Sequence, residues 1–96
     1  MSTYILTFRN DPTRQPTAEQ EQAWVSWFGE IGEHITDSGS RVGRAVMLGD
    51  DPASPDQLSG YVAVSADDLD SAVKLASGCP GLTYGGRVEV GEPVVM

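Results

Sequence analysis

The sequence predicts an α+β domain in which an antiparallel sheet carries two helices on one of its faces. Three observations lead to this prediction. The chain has 96 residues, which suits one domain, 1–96, with a thin hydrophobic core. Two segments repeat apolar residues every three or four positions, as helices do. Four shorter segments carry strand-forming residues, and the six follow one another as strand, helix, strand, strand, helix, strand.

The first half of the chain supplies a strand, a helix and a second strand. Residues 4–8 alternate in the manner of a short strand. A helix is expected to begin at Thr17, because its hydroxyl can accept from the backbone of Gln20 while the Gln20 side chain reaches back. We expect Gly39 to end this helix and residues 41–48 to form the second strand. The apolar stripe of the helix contains Trp24, Trp27, Phe28, Ile31 and Ile35.

The second half supplies the remaining strands and helix. Residues 58–64 are expected to form the third strand, and Ser65 with Asp68 makes another helix-start pattern. Gly78 should end this second helix, and residues 87–90 alternate as the fourth strand. The second helix begins with three acids that suit its positive end, Asp67, Asp68 and Asp70, and its expected inner face contains Leu69, Ala72, Val73 and Ala76.

This order of elements is typical of a ferredoxin-like βαββαβ sheet, in which both helices cover the same face. Residues 49–56 contain two prolines and three acids, which predicts a surface loop between strands two and three. The face opposite the helices is also apolar in part, since Ile5 and Leu6, like Val46 and Met47, point to opposite sides of a strand. We therefore expect a second copy to cover it, giving a homodimer whose sheets face each other.

The charge of the chain excludes several classes of partner. With 14 Asp and Glu against 6 Lys and Arg, the net charge is −8, and the basic residues are scattered from Arg9 to Arg87. Such a chain lacks the basic cluster that nucleic acids and anionic membranes require.

The cysteine and histidine content, the first residues and the apolar runs indicate which kinds of site and which compartment to expect. Cys79 is the sole cysteine and His34 the sole histidine, so we expect no internal disulfide, no metal site and no cofactor. The first nine residues do not resemble a signal peptide, and no apolar run approaches the roughly 20 residues that span a bilayer. A cytoplasmic protein is expected.

The most reactive candidate pair is His34 with Asp37. We expect both near the end of the first helix, three residues apart, where a carboxylate can orient an imidazole. At the edge of a cleft, such a pair could move protons to and from a small substrate. The alternative is that His34 only interacts favourably with the negative end of the helix.

Three further residues are candidates for ligand binding. Trp27 and its aromatic neighbours could line a pocket, although aromatic residues at helical spacing are also typical of a core. Tyr61 offers a hydroxyl on a strand, but it could equally pack against a partner subunit. Arg44, with Arg41, could bind a carboxylate, and ion pairs with the abundant acids are the alternative.

Several short motifs together resemble the YCII-related domain family of small bacterial proteins. They are the Gly-Tyr pair at Gly60, the Asp-rich helix start at Asp67, the Cys-Pro pair at Cys79 and the run that begins at Trp24. The resemblance covers nearly the whole chain. It implies a dimeric α/β barrel, built from ferredoxin-like subunits paired sheet to sheet, and in some members a His and Asp pair in a cleft. The better-known branch of the family carries an Asp-Gly-Pro-Phe loop before strand three, which is replaced here by Asp50-Asp51-Pro52-Ala53, so nothing that depends on that loop carries over.

Two functions follow as hypotheses. The first is a cofactor-independent enzyme of isomerase, lyase or oxygenase type that acts on a small organic molecule. In it His34 moves protons, Asp37 orients His34, and Tyr61 or Arg44 holds the substrate. The second is a non-catalytic dimer that binds a metabolite or a protein partner.

Overall fold

The elements follow one another in the predicted order. The computed structural model describes residues 1–11, 13–49 and 56–94. Within them the strands are β1 (Ser2–Asn10), β2 (Ile35–Arg41), β3 (Gln57–Ala66) and β4 (Arg87–Gly91), and the helices are α1 (Ala18–Ile31) and α2 (Leu69–Ala76). Each helix is followed by a short 3-10 turn, Gly32–His34 after α1 and Pro80–Tyr84 after α2.

The strands form one antiparallel sheet in the order β2-β3-β1-β4. β1 lies near its centre, where Leu6 is paired with Val62 of β3 on one side and with Val90 of β4 on the other. Residues of both helices belong to the same buried cluster, so both crossovers pass over the same face. This is the ferredoxin-like fold, and the predicted fold class is confirmed.

The hydrophobic core fills the space between the helices and one face of the sheet. That face is built from alternate residues of β1 and β3, as the two-residue period of a strand requires. Leu6 and Val64 are fully buried at its centre. Burial of such side chains contributes roughly 1.5–3 kcal/mol each and is the main stabilising term in folding. In the described part of the chain the buried hydrophobic residues are Tyr4, Leu6, Phe8, Trp27, Ile31, Val62, Val64, Ala66, Ala72, Ala76 and Cys79.

The start of α1 is as predicted. The Thr17 hydroxyl accepts from the Gln20 backbone N–H at 3.1 Å, and the Gln20 side-chain oxygen accepts from the Thr17 backbone N–H at 2.9 Å. Both bonds satisfy donors that the first turn of a helix otherwise leaves unpaired, so the capping box fixes where α1 begins.

The predicted end of α1 is wrong. The helix stops at Ile31 instead of Gly39, and Ile35 lies in β2, opposite Val64. The β-branched Ile35 gains more by joining the sheet than by extending the helix. Gly39 does have the left-handed backbone that was predicted for it, with a φ of 60°, but it uses that conformation inside a strand.

The predicted second strand is also misplaced. The predicted second strand covers residues 41–48, whereas β2 ends at Arg41. Residues 42–49 have no regular structure. β3 is already bonded to β2 on one side and to β1 on the other, so no edge of β3 is left for a further strand. Of the predicted loop 49–56, residues 50–55 lie outside the described part of the chain.

The second half agrees more closely with the prediction. β3 is two residues longer at its carboxyl end than expected and includes Ser65, so Asp68 alone caps α2. The Asp68 carboxylate accepts from the Ser71 backbone N–H at 2.8 Å. Within α2, Ala72 and Ala76 face the core as predicted, whereas Leu69 and Val73 are substantially exposed.

The face of the sheet opposite the helices is uncovered within one chain. On β1 and β3 it presents Ile5 opposite Ala63 and Thr7 opposite Tyr61. Tyr61 remains 41% exposed there. In the described part of the chain, neither α1 nor α2 has the length and apolar character that a membrane-spanning helix needs.

Candidate functional site

His34 ends the short turn that connects α1 to β2. Its side chain is 34% exposed, and its Nε2 lies 3.5 Å from the Glu33 carboxylate. An imidazole in this position is open to solvent on one side and in contact with the protein on the other. It can therefore exchange a proton with water and with a molecule bound beside it.

A surface pocket of about 150 Å³ adjoins His34. It forms where β3 ends and α2 begins, because Asp68 caps the helix directly after the strand and directs its first turn toward His34. The polar side chains in the lining are those of His34, Asp67 and Ser71, and the apolar ones are those of Met1, Ala66 and Leu75. A few polar groups over an apolar floor are what small-molecule sites present.

Asp68, which caps α2 beside this pocket, carries a negative charge. Two hydrogen bonds from Ser71 lower the pKa of the Asp68 carboxyl below its usual value of 3.8. The bond from the Ser71 backbone N–H has the larger effect, and the bond from its side chain adds to it. Asp68 is therefore ionised at neutral pH and stabilises the first turn of α2, which carries Ser71.

Asp37 does not share an element with His34. It lies in β2 opposite Ala63, and its carboxylate accepts from the Gly39 backbone N–H at 2.8 Å. The prediction of a dyad assumed one helix through both residues, and the end of α1 at Ile31 removes that geometry. The acid that lines the pocket with His34 is Asp67, which the sequence indicated only as a helix-start residue.

Trp27 belongs to the core. It is 4% exposed, and its ring lies 5.8 Å from Phe8 and 5.1 Å from Phe28. Trp27 therefore packs in the core, which was the alternative to its lining a ligand pocket. Its neighbour Trp24 donates a hydrogen bond from its indole N–H to the Tyr84 hydroxyl.

Tyr61 and Arg44 lie apart from the His34 pocket. Tyr61 is on the open sheet face, whereas the pocket lies at the end of the helix-covered face. Arg44 is exposed in the irregular residues 42–49. The structure thus separates the residues that the sequence predicted as one site.

A second pocket, of about 220 Å³, lies beside β4 and was not foreseen. Arg9 and Arg87 are directly opposite each other on β1 and β4, and both line it. Asp56 binds the pair, with its carboxylate 2.6 Å from the Arg87 Nε and 3.8 Å from an Arg9 Nη. Because Asp56 neutralises one of the two guanidinium groups and Glu89 also lines the pocket, the site has no net positive charge.

The other reactive groups are structural. Cys79 is buried, and burial raises the pKa of its thiol above the usual 9.0, which keeps it protonated. Within residues 1–11, 13–49 and 56–94, no group of three or more His, Cys, Asp and Glu side chains is arranged to hold a metal ion.

Comparisons with known proteins support the fold and do not identify a family. No protein-family model matches the chain, and no curated protein matches it in sequence. Among solved structures, it is similar to 5-chloro-2-hydroxyhydroquinone dehydrochlorinase (TftG) from Burkholderia phenoliruptrix AC1100 in complex with 2,5-dihydroxybenzoquinone. The TM-score is 0.53 and the sequence identity 17%, over 90% of this chain and 90% of that one. At this identity the likeness shows a shared fold.

Proposed function

We propose that this protein is a cofactor-independent acid–base enzyme acting on a small organic molecule, with His34 as the proton-transfer group. The observation that carries the proposal is the pocket in which His34 stands beside two other polar side chains, Asp67 and Ser71, over an apolar floor. Histidine is the side chain that most readily both accepts and donates a proton near neutral pH.

The lining residues have distinct roles in this proposal. His34 removes a proton from a carbon or hydroxyl of the substrate and returns it at another atom, so that no net proton is lost in an isomerisation. The Ser71 oxygen and the Asp67 carboxylate each accept a hydrogen bond from a substrate hydroxyl, since the one hydroxyl proton of Ser71 is donated to Asp68. The Glu33 carboxylate lies 3.5 Å from the His34 Nε2 and can orient the ring.

The size of the pocket limits the substrate to about one ring. Its volume is about 150 Å³. An engineered apolar cavity of roughly 150 Å³ binds benzene, which sets the scale. The dehydrochlorinase with the same fold acts on a chlorinated hydroxyhydroquinone and is found with 2,5-dihydroxybenzoquinone. Both are single hydroxylated or oxidised rings, and we propose a substrate of this class, which the hydrogen-bonding groups of Asp67 and Ser71 suit.

The working unit of the proposal is a homodimer in the cytoplasm, of the YCII-related family and the dimeric α/β barrel type. The open sheet face supports the dimer, because it presents Ile5, Ala63 and Tyr61 to solvent in the single chain. The motifs at Gly60, Asp67 and Cys79 support the family.

A titration with 2,5-dihydroxybenzoquinone tests the pocket. Amide chemical shifts of the ¹⁵N-labelled protein are recorded during the titration of the wild type, His34→Ala and Ser71→Ala. We expect the largest shifts at residues 66–75 and weaker binding in both variants. Thr83→Ala, which removes an exposed hydroxyl bonded only to the Pro80 carbonyl, is the matched control for Ser71→Ala and should bind like the wild type.

Activity is tested separately. The exchange of the carbon-bound protons of 2,5-dihydroxybenzoquinone with deuterated water is followed in the presence of each protein. Exchange that depends on His34 supports catalysis. Shifts spread evenly over the surface, or binding and exchange unchanged in His34→Ala, would overturn the assignment of this pocket.

The second candidate is a non-catalytic dimer that binds a metabolite. It is favoured by the shallow pocket and by the one-third exposure of His34, since most catalytic sites exclude water more fully. Binding that persists without any proton exchange in the wild type would favour this candidate.

A further inference from the structure

The chain exposes an apolar segment immediately after β2. Val46 is 82% exposed, Met47 64% and Leu48 86%. The preceding residues are attached to β3, through the Val42 N–H to the Ser59 carbonyl at 2.9 Å and the Gln57 side chain to the Gly43 carbonyl at 2.7 Å. We call residues 42–49 the apolar arm.

The sequence of the apolar arm favours a strand that the single chain does not form. Val46, Met47 and Leu48 follow the edge strand β2 without a break by proline or acid. In residues 13–49 and 56–94, which the structure describes on either side of this loop, both edges of β3 are occupied by β1 and β2, and no described strand pairs with Val46, Met47 or Leu48. A mismatch between local preference and observed structure is typical of a segment whose partner lies elsewhere.

The charge of this region differs from that of the rest of the molecule. Residues 38–49 contain Arg41 and Arg44 and no acid, so this stretch carries +2 while the remaining residues of the −8 chain carry −10. A second copy of the chain therefore offers an acidic surface to a cationic and apolar arm, which is favourable for association.

The area of the open sheet face points to the same occupant. Strands lie about 4.8 Å apart and advance about 3.3 Å per residue, so a four-stranded sheet of this size presents roughly 500 Å². A stable interface buries roughly 800 Å² on each partner. An arm of three large exposed apolar side chains adds to the apolar surface that a second copy can cover beside the sheet face.

We propose that the apolar arm docks on the second copy of the chain and completes the dimer interface. This inference rests on the proposed homodimer and adds a segment to it that the fold alone does not require. The arm contributes Val46, Met47 and Leu48 to apolar contact, and Arg44 to contact with acids of the second copy.

Sedimentation equilibrium of four proteins tests the proposal. They are the wild type, Val46→Asp/Leu48→Asp in the arm, Tyr61→Asp on the open sheet face, and Val25→Asp as the control. Val25 is 66% exposed on α1, so its replacement adds one of the two negative charges of the arm variant, and the same charge as Tyr61→Asp, at a comparable apolar surface site away from the arm. Because the substituted arm residues are exposed, thermal melts of the monomers should be nearly unchanged.

We expect the arm variant to raise the dimer dissociation constant by tenfold or more, and Val25→Asp to leave it near the wild-type value. If Tyr61→Asp dissociates the dimer and the arm variant does not, the arm has no such role while the sheet-to-sheet dimer stands. A wild type that is monomeric at every concentration measured overturns both the role of the arm and the sheet-to-sheet dimer. Binding of the monomeric wild type to phosphatidylserine vesicles would assign the arm to a membrane surface instead. The assignment of His34 is judged by proton exchange and is independent of these outcomes.

Discussion

Gly39 passes directly over the backbone of Tyr61. A Cβ at Gly39 would lie 1.9 Å from the Tyr61 carbonyl oxygen, and the glycine has a φ of 60°, where side chains are strained. The close approach lets β2 bend around β3 after the irregular pairing at Asp37. No other residue type fits this position without moving one of the two strands.

Replacement of Gly39 by alanine should therefore destabilise the protein strongly. The left-handed backbone alone costs roughly 1–2 kcal/mol for a residue with a side chain, and the contact with Tyr61 adds to it. Urea unfolding measures the loss. Gly29→Ala is the matched control, because nothing lies within 4 Å of a Cβ there and alanine is favoured in a helix, so this variant should gain up to about 1 kcal/mol. Equal stability of the two variants would contradict the described path of β2.

Asp56 should stabilise the sheet by separating two like charges. Arg9 and Arg87 are directly opposite across β1 and β4, an arrangement that is unfavourable without a shared carboxylate. Since Arg87 is largely exposed, we expect Asp56→Ala to lower the free energy of unfolding by about 1 kcal/mol or less. The loss should shrink in high salt and in an Arg87→Gln background. A loss independent of both would show that Asp56 acts through other contacts.

The Asp68 cap should make α2 sensitive to acid. Hydrogen bonds from Ser71 lower the pKa of Asp68 from 3.8 in the folded protein, so its ionised form stabilises the fold above that value. This contribution is lost as the pH falls through the lower folded-state pKa. Helix content by circular dichroism should therefore fall more steeply with acid in the wild type than in Asp68→Asn, which keeps a cap without a titrating group. Identical acid profiles would contradict the cap.

Cys79 should react only when the protein opens. Its side chain is 3% exposed, and burial raises the pKa of the thiol above 9.0, so both access and thiolate are lacking at pH 8. Labelling with a disulfide reagent should be slow in buffer and fast in urea. Cys79→Ala serves as the blank. Rapid labelling of the native protein would show that the turn at Pro80–Tyr84 opens readily.

The sequence predicted best those features that depend on neighbouring residues. The capping box of Thr17 and Gln20 needs four consecutive positions, and its prediction is confirmed at both hydrogen bonds. The last strand at Arg87 is similarly local, whereas α2 is capped by Asp68 and not by the predicted Ser65, which lies in β3. The order of the elements then determined the ferredoxin-like topology through general rules of chain connection.

The boundary between α1 and β2 could not be obtained in this way. Ile35 suits a helical stripe and a buried strand equally well, and the choice is made by Val64, which lies opposite it in β3. Val46 also suits a strand, but it lies in the irregular residues 42–49, and both edges of β3 are occupied by β2 and β1. Decisions of this kind depend on contacts between distant parts of the sequence.

The candidate site was predicted in part. His34 was singled out because it is the only histidine, and the structure places it at a pocket. Its neighbours there, Asp67 and Ser71, are more than thirty positions away along the chain, and only the crossover from β3 into α2 brings them close. Asp37, three positions away, lies in β2 and binds Gly39 instead.

The position of β1 near the centre of the sheet has a consequence for how the molecule is made. Leu6 pairs with Val62 and Val90, so β1 stays unpaired on one side until β4, about 80 residues later, has been synthesised. Until β4 emerges, β1 exposes apolar side chains that only later segments cover. Sheets assembled from such distant pairings fold slowly compared with helical bundles. The sheet is therefore completed only once β4 is available, and aggregation is most favoured in the period when β1 is exposed without its partners.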